Sequence, residues 1–74
     1  MSERIYVAIG CCFWGKGFTP EQAKKTALRY APRSMPKNMR ISKLPEGAHS
    51  VYVSDTGQTM WEGSTEACEV IERT

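Results

Sequence analysis

The sequence contains little of what metal sites and nucleophilic catalysis require. It has one histidine, His49, and three cysteines, two of which are adjacent as Cys11 and Cys12. A nucleophile paired with a histidine base needs one of these thiols beside His49, and no spacing in the chain indicates such a pair. A zinc site would need all four of these side chains as ligands. Their spacing lacks the paired Cys-x-x-Cys pattern of structural zinc sites. We therefore expect no metal, no cofactor and no catalytic set.

Long apolar runs are also missing. The apolar run 5–14 is shorter than the ~20 residues that a helix needs to cross a bilayer. It is not followed by the small-residue cleavage site of a secretory signal. We therefore expect no membrane association and a cytoplasmic location, in which the three cysteines are buried free thiols.

One tripeptide matches a catalytic signature. Asp55-Thr56-Gly57 is the active-site motif of aspartic proteases, which need two such carboxylates sharing a proton. A homodimer would supply the second carboxylate, but no later apolar run leads to a glycine that would support the site. Asp-Thr-Gly is also common turn chemistry. We favour a hairpin turn here and keep a dimeric protease built on Asp55 as a minor alternative.

The charge is unevenly distributed along a chain that is long enough for one domain, residues 1–74, with a small core. Residues 1–46 contain nine Lys and Arg against three Asp and Glu, whereas residues 47–74 contain one against five, within a net charge of +2. Such polarity is typical of a surface that recognises an acidic partner. It also fits pairing between the two ends, or self-association into a homo-oligomer.

The clearest local signal is a short basic helix within residues 18–32. Thr19 is a favoured cap, Pro20 suits the first helical position and Gln22 completes a capping box. Pro32 ends the helix, because proline lacks a backbone N–H. The side of the helix predicted to pack on a sheet consists of Ala23, Ala27, Tyr30 and Ala31. Lys25 and Arg29 lie on the opposite side.

The segment before the helix alternates like a strand. Residues 4–9 are apolar on both faces, which predicts a central strand. Gly10 then indicates either a β-bulge within one long strand or a turn into a second segment, residues 12–14, and we favour the bulge. Residues 15–17, Gly-Lys-Gly, are expected to be a flexible link into the helix.

The segment after the helix predicts a meander. Residues 39–44, 50–54 and 58–62 alternate like strands, with turn signals between them. Residues 64–71 fit a short edge strand, but a helix is slightly favoured. The predicted fold class is therefore α+β: a small antiparallel sheet of three or four strands packed by one helix, in the order β-α-β-β-β with an ambiguous C-terminal element.

The order of these segments resembles that of small phage-encoded accessory proteins. Residues 5–9, 19–25, 39–44 and 50–62 follow one another in the layout of some anti-CRISPR proteins, which have this size and a single helix on an antiparallel sheet. The resemblance is one of segment order, so no functional residue is carried over. It implies a non-enzymatic protein that blocks a host or defence complex by occupying a surface.

We expect a small interaction module. The missing catalytic set, the split charge and the large aromatic side chains favour a protein partner, since Trp and Tyr are common anchors at interfaces. The alternative is nucleic acid, because basic groups beside aromatic rings neutralise phosphates and stack on bases. The predicted protein-binding residues are Lys25, Arg29, Arg33, Lys37 and Arg40, with Trp14 and Trp61 as anchors if they are not simply core residues. The predicted nucleic-acid-binding residues are Lys16, Lys24, Lys25, Arg29 and Arg33.

Overall fold

The computed structural model describes residues 4–34 and 36–73, so residues 1–3, 35 and 74 of the predicted domain lie outside the described part. A four-stranded sheet has the order β2-β1-β3-β6, and β4 and β5 form a separate two-stranded sheet. Every pairing is antiparallel. The α+β class with a small sheet is therefore confirmed. The elements are β1 (Tyr6–Ile9), β2 (Trp14–Gly17), α1 (Pro20–Tyr30), β3 (Arg40–Lys43), β4 (His49–Val53), β5 (Thr59–Glu62) and β6 (Glu69–Arg73).

The four-stranded sheet is covered on both faces. Side chains alternate along β1, so Ala8 packs with α1 while Val7 and Ile9 pack with the β4–β5 hairpin. This burial on both sides makes β1 a central strand, as predicted. The helix-side cluster consists of Ala8, Phe13, Ala23, Ala27, Met39 and Ile41. The hairpin-side cluster consists of Val7, Ile9, Leu44, Val51 and Val53.

The predicted helix start and stop are confirmed. The Thr19 hydroxyl accepts a hydrogen bond from the Gln22 backbone N–H at 3.1 Å. The Gln22 side-chain oxygen accepts one from the Phe18 N–H at 3.0 Å, so two N–H groups at this end are satisfied. The helix ends at Tyr30, and Ala31 is extended before Pro32.

The predicted bulge at Gly10 is wrong, because the chain turns back there. β1 and β2 form a hairpin in which Ile9 lies opposite Trp14. The turn is closed by the Gly10 N–H, which donates to the Phe13 carbonyl at 2.8 Å. A Cβ on Gly10 would lie 2.3 Å from the Phe13 ring, so the missing side chain lets that ring fold back into the core.

The predicted flexible link at residues 15–17 is also wrong. These residues belong to β2, the strand on which α1 lies. Gly15 and Gly17 face the helix, and their lack of side chains allows α1 to lie close to the backbone of β2. The small Ala23 and Ala27 side chains on the buried side of α1 also permit this close contact. Lys16 is exposed between them.

The C-terminal part of the chain differs from the predicted meander. Among the described strands, β3 pairs with β1 and β6, whereas β4 pairs with β5 and not with β3. The slight preference for a terminal helix is wrong, because pairing with β3 holds Glu69–Arg73 as an edge strand. An ion pair between Lys24 of α1 and Glu72 of β6, 2.5 Å apart, supports this position.

Two further burial predictions are wrong. Tyr30 is 67% exposed, since it is the last helical residue and borders a surface groove instead of the sheet face. Cys11 and Cys12 are exposed free thiols because they form the tip of the β1–β2 hairpin, and Cys68 is half-buried. Among the described elements, no helix has the length and apolar character needed to span a bilayer.

Candidate interaction surface

The outward side of α1 and the loop after it carry cations that form no ion pair within the described part of the chain. Lys25, Arg29 and Arg33 are exposed. The ion pairs within residues 4–34 and 36–73 join Arg4 to Glu46 and Lys24 to Glu72, so they involve none of these three. No side-chain hydrogen bond within residues 4–34 and 36–73 involves these three side chains either. We call Lys25, Arg29 and Arg33 the basic face.

Apolar side chains border this basic face. Leu28 is 44% exposed, although it lies within the helix, and Tyr30 is more exposed still. Leu28 lies on the same side of the helix as Lys25, which precedes it by three positions. The combination of arginine and an exposed aromatic ring matches the composition of protein-binding patches.

Two predicted contact residues do not join the basic face. The Lys37 ammonium group donates to the Pro32 carbonyl, so it is bent back on its own loop. Arg40 lies opposite Ile9 in the sheet, on the side away from α1. Its guanidinium donates to the Gly57 carbonyl at 3.0 Å, which fixes the turn after β4. Arg40 therefore lies apart from Lys25 and Arg29, although the sequence predicted that all three contact the same partner.

The two tryptophans also lie on the side of the β4–β5 hairpin. Both are half-buried and pack against the hairpin-side cluster. The Trp61 indole N–H donates to the Ser64 carbonyl at 3.0 Å, so Trp61 is held within its own hairpin region. Trp14 differs, because it also lines two surface cavities. Trp14 is therefore the better placed of the two to contact a partner.

A groove of about 420 Å³ runs between β2 and the end of α1. Tyr30 and Lys16 lie at this groove together with Trp14, so an aromatic ring, a cation and a half-buried indole share one surface. Sequence reasoning missed Tyr30 because its helical spacing matched the alanine face. We call this the aromatic groove; its lining consists of Cys12, Phe13, Trp14, Gly15, Lys16 and Tyr30.

A second cavity, of about 510 Å³, separates the tip of the β1–β2 hairpin from the turn after β4. Asp55 lies in that turn, exposed to solvent. Gly57 has a φ of +85°, and its N–H donates to the Ser54 carbonyl at 2.9 Å. The hairpin turn predicted at Asp55-Thr56-Gly57 is thus confirmed, and a dimeric protease stays an untested alternative.

The thiols of Cys11 and Cys12 meet at the rim of this second cavity. Their Sγ atoms are 3.9 Å apart. Loss of hydration, followed by the hydrogen bond and charge of Cys11, raises the pKa of the Cys12 thiol, while the Lys37 cation acts in the opposite direction. At the described residues, no three His, Cys, Asp or Glu side chains come together as a metal site.

The residues of the nucleic-acid alternative are brought together only in part. Lys25, Arg29 and Arg33 belong to the basic face, and Lys16 lies in the aromatic groove. Lys24 is half-buried and already paired with Glu72. That ion pair joins the basic first half of the chain to the acidic second half, so part of the charge asymmetry is neutralised internally.

No protein-family model matches this chain, and no curated protein and no solved structure matches it either.

Proposed function

We propose that this chain is a non-enzymatic interaction module that binds an acidic protein surface through the basic face and the aromatic groove. The observation that carries the proposal is that Lys25, Arg29 and Arg33 are exposed and have no ion-pair partner among residues 4–34 and 36–73. Such cations attract an acidic partner at long range and increase the rate of encounter. The exposed Leu28 and Tyr30 supply apolar area beside them.

A protein partner accounts for the composition of this surface better than nucleic acid does. Three free cations on one short helix and its following loop form a small patch, and the exposed Glu21 interrupts it on the same side of α1. Proteins that follow a phosphate backbone need a longer basic track. Exposed aromatic groups beside arginine are typical of protein interfaces.

Nucleic acid is the alternative, and one observation favours it. Lys16, Trp14 and Tyr30 share the aromatic groove, where bases of a single strand would stack while Lys16 neutralises a phosphate. In this alternative the basic face extends the contact along the strand. Binding would then depend strongly on salt, because each neutralised phosphate releases counterions.

The proposal includes a cellular location and a mode of action. The three free thiols suit a reducing compartment, which supports a cytoplasmic protein. The resemblance in segment order to phage-encoded accessory proteins supports an inhibitor that occupies a surface of a host or defence complex. Fold-level likeness alone does not define a function, so the target must come from experiment.

Affinity capture with matched variants tests this function. Tagged chain is used to capture partners from a lysate of its source cells, with and without nuclease. The proposal expects one stoichiometric protein that survives nuclease and is lost when Lys25 and Arg29 are both changed to Glu. The control reverses the same number of charges at Lys43 and Arg73, on β3 and β6, and should retain the partner. Recovery that depends on intact nucleic acid would instead support the alternative.

A further inference from the structure

We propose that Cys11 and Cys12 form a two-thiolate site for a soft monovalent metal ion of the Cu(I) class, next to the aromatic groove that Cys12 also lines. Adjacent residues of an extended strand point to opposite faces. Here the two residues occupy the tip of the β1–β2 hairpin, and their Sγ atoms converge to 3.9 Å. Both side chains are exposed, so an ion reaches them without any rearrangement of the core.

The hairpin holds the two thiols in place. The residue before the pair, Gly10, donates its N–H to the carbonyl of the residue after it, Phe13. The Phe13 side chain is 5% exposed and belongs to the helix-side cluster, so it anchors the turn in the core. A pair of ligands on a turn fixed at both ends loses little conformational entropy when it binds an ion.

The ligand set selects the class of ion. Two sulfur ligands favour a soft ion, since hard ions such as Mg²⁺ and Ca²⁺ take oxygen ligands. In the described chain no third His, Cys, Asp or Glu completes a cluster, whereas zinc is almost always four-coordinate in structural sites. Thiolate ligands select Cu(I) among the soft ions, and the proposed site has two such ligands.

The observed distance suits one ion shared by both sulfurs. A zinc–sulfur bond is about 2.3 Å long, and with a metal–sulfur bond of that length two sulfurs on one ion lie at most about 4.6 Å apart. The separation of 3.9 Å between the Sγ atoms is within that limit. Binding forms two metal–sulfur bonds and releases two thiol protons to solvent, with no change of oxidation state. The site then carries one negative charge.

A disulfide between the same residues is less favourable. The Cα atoms of adjacent residues across a trans peptide are about 3.8 Å apart, and disulfides usually need about 4.4–6.8 Å. No cis peptide occurs in the described residues. Oxidation would therefore strain the turn, whereas metal binding uses the thiols as they are placed.

The test is an anaerobic titration of the reduced protein with Cu(I), in competition with a chromogenic Cu(I) chelator. We expect one Cu(I) per chain. Two linked ligands bind about 10²–10⁴-fold more tightly than one, so Cys11→Ser and Cys12→Ser should each lower the affinity by at least about 100-fold. Cys68→Ser is the matched control and should bind like the unmodified chain, because Cys68 packs with the hairpin-side cluster.

Four outcomes would overturn the proposal. One is a chain that does not compete with the chelator. A second is that Cys11→Ser or Cys12→Ser binds Cu(I) as tightly as the unmodified chain. A third is that Cys68→Ser loses as much Cu(I) affinity as those two variants. A stoichiometry of one ion to two chains would place the ion between molecules and not on one hairpin. Circular dichroism of each variant establishes that it is folded before its titration is interpreted.

Discussion

A Cβ atom on Gly15 would lie 2.3 Å from the backbone nitrogen of Ala27. The helix therefore lies directly on the backbone of β2, without a layer of side chains between them. This close contact fixes which side of α1 is buried. Because Ala23 and Ala27 face the strand, Lys25 and Arg29 face solvent. The orientation of the basic face thus depends on a glycine in the neighbouring strand.

Gly15→Ala should destabilise the protein strongly. Overpacking a tight interface costs about 1–3 kcal/mol and occasionally more, and here the contact is with backbone that cannot change rotamer. We expect a loss of about 3 kcal/mol in the free energy of unfolding, measured by urea denaturation. Lys16→Ala is the control on the same strand and should change stability by less than about 0.5 kcal/mol. Equal stability of the two variants would contradict the close packing.

Tyr30→Ala distinguishes the observed position of this ring from the predicted one. A buried aromatic residue loses about 3–5 kcal/mol on truncation to alanine. Because Tyr30 is 67% exposed, we expect a change in unfolding free energy below about 1 kcal/mol. The same variant should weaken partner binding, since the ring lines the aromatic groove. A large loss of stability would show that Tyr30 is a core residue after all.

The sequence was informative where local chemistry decides the structure. Thr19, Pro20 and Gln22 define the start of the helix through hydrogen bonds that span a few residues, and those are confirmed. Gly10 was ambiguous, because a bulge and a tight turn both use glycine. The Phe13 ring decides between them, and its position depends on the packed helix.

The residues of the candidate site were less predictable from the sequence, because contacts between distant segments decide where their side chains lie. Helical spacing placed Tyr30 with the alanines, but it does not show where the sheet beneath the helix ends. Arg40 follows the basic loop in sequence, yet strand pairing turns it to the opposite side, where it bonds the Gly57 carbonyl. Pairing with β3 likewise decides the form of residues 69–73, whose pattern suits both helix and strand.

Thr19→Ala should remove the helix cap. Loss of a Thr cap typically costs about 1 kcal/mol, because an N–H at the helix start loses its acceptor. Thr65→Ala is the control, since Thr65 is exposed in the segment before β6. Thermal unfolding should show a lower melting temperature for Thr19→Ala and an unchanged one for Thr65→Ala. An unchanged melting temperature for Thr19→Ala would mean that water replaces the cap without cost.

The Lys24–Glu72 ion pair should contribute little to stability. Its side chains are 30% and 39% exposed, and pairs near the surface contribute about 0.2–1 kcal/mol. A double-mutant cycle with Lys24→Ala and Glu72→Ala measures the coupling, which we expect below about 1 kcal/mol and smaller still in high salt. A coupling well above that value would mean that the pair is a major link between the basic and acidic halves.

Salt dependence separates the two proposed kinds of partner. Four of the predicted nucleic-acid-binding cations have no ion-pair partner among residues 4–34 and 36–73, namely Lys16, Lys25, Arg29 and Arg33. For a single strand, the logarithm of the binding constant then falls with the logarithm of salt concentration with a slope of about −3. Fluorescence anisotropy with a labelled oligonucleotide measures this slope. Lys16→Ala should reduce its magnitude by about 0.7, whereas Lys43→Ala should not change it. Absence of binding at low salt would exclude the nucleic-acid alternative and leave the acidic protein surface as the ligand of the basic face.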